Sequence, residues 1–176
     1  ILAEVVALRQ QEAAALADGT GLSSYDALLK DYEPDGSTAE ISKMFDALRS
    51  PLVALRSAVL ERPPAPELEG QFDPQLQLKM SQELAECFGY NMAYGRIDRA
   101  VHPFCSGTGA DVRITTRTDP SDPLGCFYST IHEVGHGNYE QNIDQSYAFT
   151  PIGHGCSMGV HESQSRTFEN QLGRSE

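Results

Sequence analysis

Residues 132–136 spell His-Glu-Val-Gly-His, and this pentapeptide constrains the chain more than any other feature. Side chains four apart lie on one face of a helix, one turn above each other. Two imidazoles so placed can reach one ion, provided each ring is neutral and offers a nitrogen at about 2.0–2.1 Å. The Glu between them points close to that ion without ligating it, where it can take a proton from a bound water. The segment must therefore be helical and firmly supported. Leu124, Phe127, Ile131 and Val134 supply apolar positions at helical spacing. Asp122-Pro123 has the form of an N-cap followed by Pro at the first helical position.

At 176 residues the chain is long enough for one core, and a single domain is the default. Thirteen basic against 25 acidic side chains give a net charge of −12. That balance argues against nucleic acid and anionic membrane as partners. No apolar stretch approaches the length of a membrane span, and nothing resembles a signal peptide. The chain opens Ile1-Leu2-Ala3-Glu4 and stops at Glu176 just beyond a patterned helix, so we expect a piece of a longer protein. Cys87, Cys105, Cys126 and Cys156 show no C-x-x-C spacing and are expected as buried free thiols in a reducing cytosol. Cys105 and Cys156 fall close enough to the candidate site for an accidental metal contact.

Helical stripes organise the rest. One ends at Gly19 and is interrupted by Glu12, and a short one covers Ser24 to Asp31. Ser37-x-x-Glu40 is a capping box ahead of Ile41, Met44, Phe45 and Leu48. Pro51 then either kinks that helix or caps a second one running to about Arg62. Pro63-Pro64-Ala65-Pro66 is an extended linker that separates an N-terminal helical part, 1–66, from a catalytic part, 67–176. Asp73-Pro74 starts another helix, which Gly89 ends, and a turn-rich stretch continues to Gly109. Asp111–Thr116 alternates polar and apolar residues and predicts a strand. A last helix is predicted from about Val160 to Leu172.

A catalytic zinc takes three protein ligands and keeps one position for water. Spacing leaves His154, His161, Glu162 and Glu169 open as the third. His161 and Glu162 are adjacent, hence about 100° apart around a helix, so only one of them faces the ion well. Glu140 or Asp144 could hold the outer ring nitrogens of His132 and His136. Tyr139 and Tyr147 are either packed aromatics or donors to an oxyanion. The H-E-x-x-H pattern itself is the arrangement of zincin peptidases.

Four motifs in order carry a closer resemblance. They are His102-Pro103-Phe104, Asp111-x-Arg113-x-Thr115, His132 to Gln141 (H-E-V-G-H-G-N-Y-E-Q) and His161-Glu162-Ser163-Gln164. Gly95-Arg96-Ile97-Asp98 and the continuation Ser165-Arg166 add to them. Together they resemble the carboxypeptidase Taq family of metallocarboxypeptidases, over nearly the whole chain but only about the middle third of a family member. The resemblance implies a mainly α, zincin-like (gluzincin) helical peptidase on a neurolysin-like scaffold, with a small β element beside the metal helix. It implies Glu162 as third ligand with His132 and His136, and Glu133 as general base. Zinc is the implied metal, with cobalt serving in some members. Cytoplasmic homodimers that remove single residues from free peptide C-termini are implied for the parent protein.

Two later family motifs, I-R-x-x-A-D and G-x-x-Q-D-x-H-W in type, lie outside this sequence, so the chain alone is expected to be a weak or inactive catalyst. His102 is expected either to contact substrate or to sit in a turn with Phe104 in the core. Asp111 and Arg113 are expected as a buried ion pair shaping the cleft, or Arg113 as a bidentate partner of the substrate carboxylate. Rival readings are a metallo-endopeptidase or oligopeptidase on a related scaffold, and a zinc-binding module without turnover.

Overall fold

The computed structural model describes residues 1–66, 68–108 and 110–175; Gly109, where the turn-rich stretch closes, lies outside them. The described chain is mainly helical with one small sheet. It divides into two compact units, Ile1–Pro66 and Glu67–Glu176.

In the first unit, α1 (Leu2–Ala17) continues past Glu12, and α2 (Ser24–Leu29) packs on it. Asp26 ties α2 to the start of α3 (Thr38–Leu60): its Oδ1 accepts from the hydroxyl (2.6 Å) and the backbone N–H (2.7 Å) of Thr38. Those bonds, with one from Ser23, hold the Asp26 carboxyl down at about 2. Ser37 caps α3 by accepting from the Glu40 N–H (3.3 Å), while its own hydroxyl donates to the Glu40 carboxylate (2.7 Å). The helix runs through Pro51 without ending or restarting. One proline removes one i→i−4 bond, and the 23-residue helix tolerates that loss.

The second unit is built around α5 (Pro123–Gln141). α4 (Pro74–Cys87) packs on one side of it, capped as the sequence predicts by Asp73, whose Oδ1 accepts from the Gln75 N–H (2.7 Å). The sheet packs on α5 as well, with β3 (Asp111–Thr116) at its centre. β3 pairs in parallel with β1 (Ile97–Arg99) and antiparallel with β2 (Cys105–Thr108). These two strands fall in the stretch that the sequence marks as turn-rich, where it predicts no strand. They are short and carry Gly, Ser, Asp and Arg, so neither shows alternation. Ile97, Ile114, Val134, Ala85 and Tyr90 form the core between the sheet and the two helices.

A small polar layer extends that core. The buried Thr130 hydroxyl lies 2.9 Å from Thr116 Oγ1 and 3.1 Å from Ser81 Oγ, which joins α5, β3 and α4. Cys126 sits in the same layer and is the cysteine that is buried; Cys105 is half-buried, and Cys87 and Cys156 are exposed. All four thiols are free, but burial is not their common property. α6 (Met158–Arg166) begins at its cap Ser157 and passes into a wide π turn, Thr167–Leu172. No helix among the described residues is long and apolar enough to cross a membrane.

Candidate metal centre

α5 fixes the pentapeptide. Asp122 Oδ1 accepts from the Gly125 N–H (2.9 Å), Pro123 fills the first turn, and Ile131 and Val134 are buried against the unit's core. α6 lies alongside, and the contact is closest at Gly135. A Cβ there would stand 2.6 Å from Ser165 Cα, so the two backbones meet where a side chain would part them. That approach delivers Glu162 to the histidines: its Oε2 is 3.2 Å from His136 Nε2 and 3.8 Å from His132 Nε2. One donor atom from each of His132, His136 and Glu162 lies within 4.8 Å of the others.

Donors about 2.0–2.2 Å from one tetrahedral ion stand roughly 3.3–3.6 Å apart. Two imidazole nitrogens and one carboxylate at these separations therefore fit a divalent ion such as zinc. Burial, with His161 and His132 beside it, pushes His136 down to about 4, so its ring is neutral at pH 7. Neither Cys105, Cys156 nor the exposed His154 belongs to this cluster.

Glu133 is 6 % exposed. Its carboxyl is pushed up to about 7, first by burial and then by the Glu162 charge. It faces an open cleft of about 380 Å³ lined also by His132, His102, Pro103, Tyr128 and Arg174. His102 thus lines the same cleft as His132 and Glu133. Phe104 is half exposed rather than in the core. The strand secures this corner: Phe104 N–H donates to Thr115 Oγ1 (2.9 Å), and Thr115 N–H donates to Phe104 O (2.9 Å). The H-P-F and D-x-R-x-T motifs are therefore one structural unit. Asp111 and Arg113 pair with each other through two bonds of 2.9 and 2.7 Å. Their side chains are 57 % and 53 % exposed, so this pair is superficial and not buried.

The outer nitrogens of the two histidines have partners that spacing alone did not single out. His132 Nδ1 is 3.0 Å from Glu169 Oε2, on the π turn. Glu169 in turn accepts from Arg166 (3.1 Å) and Arg174 (2.9 Å). His136 Nδ1 is 2.6 Å from His161 Nδ1, whose Nε2 is 2.7 Å from Glu140 Oε1. Glu140 acts through His161, and Asp144 is occupied elsewhere, capping a 3₁₀ turn at Ser146. Tyr139 packs edge-on against His161, and Tyr147 lies in that exposed turn.

The site thus brings together three donors that could hold a metal ion, two of them from the H-E-x-x-H segment, with a buried carboxylate at its side. The family model for carboxypeptidase Taq (M32) metallopeptidases matches residues 1–176, and the chain belongs to that family. Carboxypeptidase 1 of Bacillus subtilis is 39% identical over 154 residues, covering 85% of this chain and 31% of the relative. Thermostable carboxypeptidase 1 of Thermus thermophilus is 40% identical over 155 residues, covering 86% and 30%. Among solved structures, the M32 carboxypeptidase from Deinococcus radiodurans superimposes with a TM-score of 0.89 at 37% identity, covering 99% of this chain and 35% of that one. The chain therefore spans about a third of the length of the relatives it matches.

Proposed function

We propose that the whole protein is a zinc-dependent carboxypeptidase that hydrolyses the last peptide bond of peptides with a free C-terminus. The observation that carries this reading is the convergence of His132, His136 and Glu162 beside the buried Glu133. An ion held by those three residues would supply an activated water and polarise the scissile carbonyl. Glu133 accepts the water's proton as the new C–O bond forms, then returns it to the leaving amine. Burial raises the proton affinity of Glu133 toward the operating pH, which suits a group that must both take and give a proton.

His102 borders the cleft and contacts the substrate. Asp111 and Arg113 contact substrate that reaches as far as β3, a role supported by family resemblance. Both units belong to one gluzincin-type domain on a neurolysin-like scaffold, supported by the match over residues 1–176. Resemblance also supports a cytoplasmic homodimer, with cobalt able to replace zinc.

The test uses the full-length protein. Glu133→Gln is expected to retain metal and fold while turnover falls roughly 10²–10⁴-fold. Activity within a few-fold of the parent would remove Glu133 from the reaction. A peptide and its C-terminally amidated twin should differ sharply in rate; equal rates would instead favour an endopeptidase, which the names of the relatives do not support.

A further inference from the structure

The partners behind His136 form a continuous chain whose direction is set from its far end. An ionised Glu140 can only accept, so the 2.7 Å contact requires a proton on His161 Nε2. A neutral His161 then has a lone pair on Nδ1. The 2.6 Å contact to His136 Nδ1 is satisfied only if that nitrogen carries a proton. A neutral His136 is thereby left with its lone pair on Nε2, the atom that faces Glu162 at 3.2 Å.

The surroundings hold the chain in place. His161 sits in the first half of α6, one residue before Glu162. Its ring is tilted against His136, with centroids 4.7 Å apart, and is met edge-on by Tyr139 at 5.0 Å. Gly155 closes the remaining side: a Cβ there would stand 2.9 Å from His161 Cδ2 and 3.1 Å from Tyr139 Cε1. The loop backbone is thus seated against the ring.

We propose that His161 and Glu140 are positioning residues that fix the tautomer and ring orientation of His136, presenting the Nε2 lone pair to the metal. This rests on the metal-centre reading above. It gives the His of His161-Glu162-Ser163-Gln164 a task of its own, distinct from that of its neighbour Glu162.

Metal affinity of the full-length protein, measured by competition with a chelating dye, tests it separately from turnover. A parent that binds no zinc defeats the metal-centre reading itself; only differences among variants bear on the positioning role. His161→Phe keeps ring volume and the contact with Tyr139 but removes both nitrogens, and should weaken zinc binding roughly 10–100-fold. His161→Asn retains an acceptor near the Nδ1 position and should recover most of that loss. Glu140→Ala should weaken binding in the same direction but less.

The double variant His161→Phe/Glu140→Ala should be no worse than His161→Phe alone, because both changes break one chain. Additive losses, or His161→Phe binding zinc as tightly as the parent, would overturn the proposal. If His161→Phe fails to fold, His161→Leu, which also removes both nitrogens, completes the same cycle with Glu140→Ala and their double variant. The d–d spectrum of the cobalt-loaded forms should shift with His161→Phe; an unchanged spectrum also counts against it.

Discussion

His132 and His136 are the same residue type, one turn apart on one helix, yet their outer nitrogens meet different chemistry. His132 faces a carboxylate directly, and that carboxylate, Glu169, is itself bound by two arginines. His136 faces a second imidazole, that of His161, and the carboxylate on this side, Glu140, stands one step further away. A negative partner in direct contact raises the basicity of an imidazole; the same charge relayed through a ring does so less, while still fixing the tautomer. The repeat in sequence therefore conceals an asymmetry in the support each ligand receives.

Removing Glu162, the carboxylate that both histidines face, sets the scale. Glu162→Ala should lower zinc affinity beyond the roughly 10–100-fold that loss of a supporting residue costs. Full metal stoichiometry at micromolar zinc in that variant would take Glu162 out of the centre.

The asymmetry itself is tested by a matched pair. Glu169→Gln and Glu140→Gln both keep an oxygen acceptor and remove a charge. Isothermal titration with zinc should show the larger loss for Glu169→Gln, within that same range, and less than about ten-fold for Glu140→Gln. Equal losses would mean that distance from the ligand does not matter and the comparison fails.

The smallest effect concerns stability without metal. Glu133 has a folded pKa raised from 4.5 to about 7, so the unfolded chain binds fewer protons between those values. Its contribution to stability is then fully present below about pH 4.5 and is lost as pH rises through about 7. His136, lowered from 6.5 to about 4, contributes in the opposite sense, gaining as pH rises from about 4 to 6.5. Near pH 8 only the Glu133 cost remains. Metal-free Glu133→Gln should therefore melt higher than the metal-free parent at pH 8, by roughly 2–4 °C for each kcal/mol recovered in a chain of 176 residues. Scanning calorimetry at pH 5 and pH 8 checks the sign; a lower Tm at pH 8 contradicts it.

Much of this architecture is legible in the sequence because it is local. Asp73, Ser37 and Asp122 cap their helices as their spacing predicts, and β3 alternates where it is exposed on one face. The partners behind His132 and His136 are not legible, because they depend on how α6 continues. Spacing offers Glu169 as a third ligand, seven residues after Glu162. The π turn widens the backbone after Arg166, and Glu169 arrives behind His132 instead. His161 and Glu162 were rivals for one ion on angular grounds. Both are used, since their two directions point to the back and the front of the same ring.

The contact at Gly135 bears on how far the motif tolerates change. The two variable positions inside His132-Glu-x-x-His136 are not interchangeable: Val134 fills the core, while Gly135 sets the separation between two backbones. The side chain at position 162 has a length matched to that separation. Glu162→Asp, one methylene shorter, would need the helices closer than contact at Gly135 already allows, and any larger residue at 135 would leave even a glutamate short. Spacer and ligand form one measured pair, so a transplant of this centre into another scaffold must carry both.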